Sequence, residues 1–358
     1  MQYNITYREK DKGIQYIISY KDRSGRWRQK SKQGFAKMSE AKKAALKKLD
    51  EIKEKFELQL DAELEGISFQ EFTEMFLENM RLYKEPNTVK TYEQTVNKFA
   101  DLGRMEVSKI SSVHVQKCVD NMVRDGLAPS TIKAHVTRLK TIFKSAISPY
   151  RIITDNPVSD LILPPKKESA KIKALNLSEL EELLSSIKKP RYYLISLLAS
   201  KCGLRIAEII GLTWDDIDYT RKQININKQW KKRKDGIWGF GPLKSQASYR
   251  IVPAPTSVLK ALRGYKDISP ISIDKRIFPY ARAGIGSYIA KCYQELGFDI
   301  SVHDLRHTFA TLLIANGTDF RTAAQILGHT PEETIRTYSH VTSDMMERAA
   351  KTINNIFG

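Results

Sequence analysis

Cysteine is scarce: Cys118, Cys202 and Cys292 stand far apart in 358 residues. A scattered, odd-numbered set builds neither a disulfide framework nor a CxxC metal pair, so all three are expected to be reduced packing residues. A run of about 18 apolar residues, which a membrane-spanning helix needs, is missing. The opening MQYNITYREKDKG lacks the apolar stretch of a signal peptide, so the expected location is the cytoplasm. No GxxxxGK[ST] loop is present to cradle a nucleoside triphosphate. Long internal repeats and low-complexity tracts are absent as well.

Positive charge, by contrast, is abundant. Lys and Arg number 59 against 41 Asp and Glu, a formal net charge of +18. Such an excess favours a polyanion, because each neutralised phosphate of a nucleic acid releases condensed counterions; a solvated basic surface is the plainer alternative. The excess is concentrated. Residues 1–56 hold 16 Lys or Arg and 7 Asp or Glu, so about half of the net charge (16 − 7 = 9) lies in less than a sixth of the chain. At 358 residues, two or three domains are expected.

Hydrophobic periodicity changes along the chain. Tyr3, Ile5 and Tyr7, then Ile14, Tyr16, Ile18 and Tyr20, alternate as strands do, and a turn at Arg23-Ser24-Gly25 precedes Arg26-Trp27-Arg28. This predicts a small three-stranded antiparallel sheet, followed by a helix from Ser39 to about Leu60. So small a sheet buries little, and its exposed face is expected to carry Arg8, Lys21, Arg26, Arg28 and Lys30, where it can enter a DNA groove or serve only as a basic appendage. From Ser68 to about Leu163 the spacing is helical, with starts at Ser68, Asn87-Thr88, Ser111-Ser112 and Pro129-Ser130-Thr131, predicting four or five helices. The polar segment Lys166–Lys173 is expected to be a linker. After it come a helix opened by Ser178, an apolar helix over Tyr192–Gly203, β-prone segments near Asp216–Lys228 and Tyr249–Pro253 with a Gly- and Lys-rich tip between them, and further helices. Met346, Ala349, Ala350, Ile353 and Phe357 form an apolar stripe at helical spacing, which must pack on its own domain or on a neighbouring subunit. The expected architecture is multidomain, mainly α with small β-sheets. Its parts are residues 1–62 (three-stranded sheet plus helix), 66–165 (all-α), 166–173 (linker) and 174–358 (mixed α+β).

Five short motifs in the last segment belong together. They are Gly203-Leu204-Arg205-Ile206-Ala207-Glu208; Leu243-Lys244-Ser245 ahead of Arg250-Ile251-Val252-Pro253; His303-Asp304-Leu305-Arg306-His307; Leu327-Gly328-His329; and Tyr338 within Thr334–His340. The set resembles the tyrosine recombinase family of the phage-integrase type, whose pattern is an Arg in G-L-R-x-x-E, a Lys in a β-hairpin, H-x-x-R, L-G-H, and a Tyr nine residues after that last His. Arg205, Lys244, His303, Arg306, His329 and Tyr338 fill the six positions in order. The motif resemblance covers roughly residues 175–345. Residues 66–165 fit the family's core-binding domain by layout and by sequences such as Asn87-Thr88-Val89-Lys90-Thr91-Tyr92.

The resemblance implies DNA strand cleavage and rejoining through a 3′-phosphotyrosine, and the residue types suit that chemistry. Two guanidinium forks, Arg205 and Arg306, would stabilise the charge that builds on a five-coordinate phosphorus. Tyr338 would attack, with His303 as proton acceptor, His329 donating to a phosphate oxygen, and Lys244 protonating the departing 5′ oxygen. Glu208 would orient a member of this set, and His307 would pack beside it or help to orient it. Phosphotyrosine conserves the bond energy of the cut strand, so neither ATP nor a metal or other cofactor is expected. His303 and His307 have the i, i+4 spacing of zinc ligands, but Asp304 replaces the Glu of HExxH and Arg306 would set a cation beside the metal. Tyr280, Tyr288 and Tyr293 are expected to be buried packing residues.

A sheet-plus-helix domain ahead of the core-binding domain further resembles the arm-binding domain of lambda-type integrases. The implied partners are double-stranded DNA at core and arm sites and further copies of the chain, as a tetramer on DNA. An excisionase and a host DNA-bending protein would be accessories, the setting the nucleoid, and no membrane is involved. A resolvase or invertase of the same family, and a DNA-binding regulator without catalysis, are the alternatives.

Overall fold

The computed structural model describes residues 1–11, 13–22, 25–57, 63–165, 173–279, 284–338, 350 and 353–357. It divides into two compact units, Met1–Glu168 and Ser169–Gly358.

The first unit opens with strands β1 (Tyr3–Lys10), β2 (Gly13–Lys21) and β3 (Trp27–Phe35), antiparallel in that order, followed by helix α1 (Met38–Glu57). Alternation in β2 sends Tyr16, Ile18 and Tyr20 to one face, where they pack on Ala45, Leu49 and Ile52 of α1. Register corrects the expectation of a single basic face. Arg28 and Lys30 pair with Tyr20 and Ile18, so both lie on the helix side. There Arg28 bonds Asp22 and Glu63, Arg26 bonds Glu63, and Lys30 bonds Glu65. Arg8, opposite Gln15, and Lys21, opposite Trp27, share the open face. The turn at Arg23 and Ser24, and Leu60, lie outside the described residues.

Helices α2 (Phe69–Tyr83), α3 (Pro86–Lys98), α4 (Ser112–Arg124) and α5 (Pro129–Ile147) follow. Ser68 caps α2 in a reciprocal box with Glu71, Pro86 and Pro129 begin α3 and α5, and Ser111 caps α4, as their sequences predict. Phe69 and Phe143 stack at 5.6 Å in a core shared by all four helices. Residues 166–172 of the expected linker lie outside the described residues.

The second unit contains α6 (Leu177–Ser186), α7 (Pro190–Cys202), α8 (Ile206–Ile210), β4 (Ile217–Asp218), β5 (Gln223–Ile226), β6 (Gln229–Lys232), β7 (Trp238–Gly241), β8 (Arg250–Pro253), α9 (Thr256–Ile268), α10 (Ile285–Glu295), α11 (Val302–Ala315), α12 (Phe320–Leu327) and α13 (Pro331–Tyr338). One sheet runs β4-β5-β8, and β6 and β7 form a separate hairpin. Helix α6 starts at Leu177, one residue before Ser178, because Asn176 accepts from the Glu179 amide and caps it. Helix α7 is buried almost all round and forms the centre of the core. Tyr293 is buried there on Ser196, whereas Tyr288 is 65% exposed, against expectation, because it lies on the solvent face of α10; Tyr280 is outside the described residues.

Met346 and Ala349 of the tail lie outside the described residues too, while Ala350, Ile353 and Phe357 are exposed. Cys118 and Cys202 are buried and Cys292 half-buried, all free. Among the described residues no helix is long and apolar enough to cross a membrane.

Candidate active site

Local sequence shapes the site at two glycines. Gly203 ends α7 in the left-handed region, where an added Cβ would lie 2.5 Å from the Phe309 ring. Gly328 ends α12 in the same way, and a Cβ there would crowd Ala247, Ser248 and Arg250 at 3.1 Å. The bare backbone at Gly328 therefore allows the end of α12 to nest against the segment between β7 and β8.

Three guanidiniums converge on that helix end. Arg250 Nε donates to the Ile326 carbonyl (2.6 Å), Arg306 Nη2 to Leu327 (2.5 Å) and Arg205 Nη2 to Gly328 (3.0 Å). The last carbonyls of a helix lack partners within it and form its negative pole, so they suit cations. Arg306 also donates to the carbonyl of Gly203 (2.5 Å). Glu208, 2% exposed, lies beneath all three. It accepts from Arg205 Nη1 (2.8 Å), the Arg205 amide (2.9 Å) and both Arg250 Nη atoms (3.1 and 2.9 Å), and is 4.0 Å from Arg306 Nη1. Burial raises the Glu208 pKa, but the bonds from Arg250 and Arg205 outweigh it and the net shift is downward. Three cations against one carboxylate leave two positive charges uncompensated.

That excess shows in the neighbouring groups. Arg306, 1% exposed, is pushed down to about 9, first by burial and then by Arg205, and stays protonated at neutral pH. His329 is driven to about 3 by burial and then by Arg306, Arg205 and Arg250, so it is neutral. Since Arg306 Nη2 can only donate, His329 Nε2 accepts from it at 2.8 Å, which leaves the proton on Nδ1. Among the described residues, Arg306 Nε and His329 Nδ1 are buried without partners. Both are donors, and both lack an acceptor such as a phosphate oxygen supplies.

Tyr338, at the end of α13, is fully buried against Ala310, Ile314, Ala323 and Leu327. Its hydroxyl is bonded to His307 Nδ1 at 2.7 Å, not to His303. Burial, offset in part by Arg306, raises its pKa to about 12. His303 is exposed, one turn before His307, with ring centroids 4.6 Å apart. Lys244 lies past the end of β7 on the return to β8 rather than at the tip of the β6–β7 hairpin; it is exposed and makes no hydrogen bond or ion pair with a described residue. Leu243 beside it is buried, and Gln229 Nε2 holds the Pro242 carbonyl at 2.7 Å. Among the described residues no cluster of His, Cys, Asp or Glu could hold a metal ion.

Arg250 was legible in sequence only as context for Lys244. Its contacts to Glu208 and Ile326 span 42 and 76 residues, beyond the reach of any local pattern.

Residues 173–345 match the phage integrase family, residues 68–123 the SAM-like N-terminal domain of phage integrases, and residues 4–55 an arm DNA-binding domain. A tyrosine recombinase XerC-like protein of Caldanaerobacter subterraneus subsp. tengcongensis is 26% identical over 316 residues, 78% of this chain and 81% of that protein. The ICEBs1 integrase of Bacillus subtilis is 24% identical over 344 residues, 89% of this chain and 91% of the other. A structure of the Tn1549 transposon integrase in complex with transposon right end DNA shares the fold, with a TM-score of 0.64 at 21% identity over 78% of this chain and 99% of that one. With a catalytic segment, a SAM-like segment and an arm segment matched in one chain, the protein belongs to the phage integrase family and is a tyrosine recombinase.

Proposed function

We propose that this recombinase is an integrase that inserts and excises a mobile element, such as a prophage or an integrative conjugative element. The observation that carries the proposal is the sheet-and-helix domain ahead of the SAM-like segment, which matches an arm DNA-binding domain. Support comes also from the ICEBs1 integrase, whose likeness extends over 89% of the chain. In the proposed division, residues 1–62 bind arm sites, 66–165 bind the core site, 174–358 carry catalysis, and 166–173 are a linker. Two tethered DNA-binding units make the second contact intramolecular and raise avidity. The chain would act on nucleoid DNA in the cytoplasm as a tetramer. The exposed Ile353 and Phe357 favour docking of the tail on a neighbouring subunit.

In the proposed mechanism the scissile phosphate takes its place against Arg205 and Arg306, whose charge Glu208 only partly offsets. Arg306 Nε and His329 Nδ1 gain the acceptor they lack. The Tyr338 oxygen attacks phosphorus and gives its proton to a histidine of α11, the bond to the 5′ oxygen breaks, and Lys244 protonates that oxygen.

The reaction is tested with nicked duplexes carrying the junctions that flank the gene. The wild-type protein should form a covalent adduct that survives a denaturing gel. Tyr338→Phe should bind the same duplex and form none; an adduct from the Phe variant would show that another residue is the nucleophile.

A further inference from the structure

The histidine in contact with the nucleophile is His307. A buried hydroxyl hydrogen needs an acceptor, and Tyr338 is fully buried. The acceptor within reach among the described residues is His307 Nδ1, at 2.7 Å. The phenol therefore donates, Nδ1 carries the lone pair, and the neutral ring holds its proton on Nε2. Other groups nearby are unsuited to take the phenolic proton. Arg205 and Arg306 have no acceptor atom, His329 Nε2 already accepts from Arg306, and the Glu208 oxygens are held by Arg205 and Arg250. His303 meets His307 edge to face and makes no bond to Tyr338.

We propose that His307, rather than His303, is the catalytic residue that accepts the Tyr338 proton during strand cleavage and returns it during rejoining. The proposal rests on Tyr338 being the nucleophile. As the phenolic oxygen bonds to phosphorus, its proton passes to His307 Nδ1, and the 5′ oxygen leaves with a proton from Lys244. In rejoining the 5′ hydroxyl attacks and returns its proton to Lys244, the phosphotyrosine bond breaks, and imidazolium His307 reprotonates Tyr338. The charged and titratable groups facing the pair are His303, Asp304 and Arg306 on α11 and Glu333 on α13. Burial, then His303, with Arg306 adding, holds His307 down at about 4 against the opposing pull of Asp304, so the ring is neutral at neutral pH. An arriving phosphate offsets Arg306 and raises the proton affinity of the ring when the phenol must give up its proton.

Single-turnover adduct formation on a nicked core-site duplex, followed from pH 5.5 to 9.5, tests this. The wild-type rate should rise with pH through one apparent pKa and then level off. His307→Gln keeps a hydrogen-bonding side chain but cannot take a proton; its rate near neutrality should fall by about 100-fold or more and keep rising at alkaline pH. His303→Gln should keep a rate that rises and levels off, with the apparent pKa moved upward because the depression that His303 imposes on His307 is lost. His307→Ala should regain rate with added imidazole, a result that lost packing alone would not give. A His307→Gln rate within roughly threefold of wild type with an unchanged profile, faster cleavage by that variant, or no imidazole rescue overturns the proposal. If the wild-type protein forms no adduct, or Tyr338→Phe still forms one, it is the assignment of Tyr338 that fails.

Discussion

Glu208 shows how one residue organises a site meant for an anion. Its carboxylate is too small a counter-charge for Arg205, Arg250 and Arg306, so the cluster stays cationic while each guanidinium is held in a fixed orientation. Orientation, not charge alone, is what a planar phosphate clamp requires. Arg205→Lys and Arg306→Lys retain the charge but lose the fork. Each should lower the single-turnover cleavage rate by more than about tenfold, equivalent to roughly 1.4 kcal/mol of transition-state stabilisation. Near-normal rates in both variants would mean that the phosphate sits elsewhere. The positions of these residues were legible because each belongs to a short local motif: Arg205 at the start of α8, Arg306 within α11, His329 just past Gly328. The partner of Tyr338 was not, since His303 and His307 share one face of α11 and only tertiary packing decides which of them meets α13.

At the scale of elements, the end of α12 joins pieces that are remote in sequence. Its carbonyls collect three arginines, its Gly328 admits the Gln246–Ser248 turn, and the next residue is His329. Arg250 ties this together by donating at once to Ile326, Ser248 and Glu208, which connects the segment bearing Lys244 to the arginine cluster. Arg250→Met should cut cleavage more than about tenfold. A substrate with sulfur in place of the bridging 5′ oxygen leaves without protonation, and it should restore most of that loss if Arg250 acts through Lys244. An equal defect on both substrates would place its effect on the clamp instead. Sequence reading captured the helices of the first unit closely because Ser68, Pro86, Ser111 and Pro129 are local start signals. It assigned Arg28 and Lys30 to the wrong face because β3, WRQKSKQGF, has no apolar alternation of its own. Its facing is set by pairing with β2, which the β3 sequence alone does not reveal.

Over the whole molecule, charge and motif lie at opposite ends: the proposed catalytic set falls within residues 203–338, while half of the net charge lies in residues 1–56. The N-terminal sheet has its own small core on α1, built from Tyr16, Ile18, Tyr20, Ala45, Leu49 and Ile52. The helical segment after it has a separate core around Phe69, Phe72, Phe99 and Phe143. Removing residues 1–62 therefore exposes little of the second core and should leave a folded protein that still binds and cleaves a nicked core site. What it should lose is contact with distal arm sites, and with it recombination on long substrates. On the open face of the sheet Lys21 stands beside Trp27 and Arg8 lies farther along, opposite Gln15, whereas Arg26, Arg28 and Lys30 are engaged by Glu63 and Glu65, so Arg8→Ala and Lys21→Ala should weaken arm binding more than Lys30→Ala does. Because phosphate neutralisation releases counterions, log affinity for the arm site should fall linearly with log salt, and losing one phosphate contact should reduce that slope by about 0.9. Band-shift titrations at several salt concentrations, with full-length and truncated proteins on core-only and core-plus-arm duplexes, measure both effects. Equal recombination by the truncated chain on long DNA would favour a resolvase acting on two equivalent core sites, with residues 1–62 as a basic appendage.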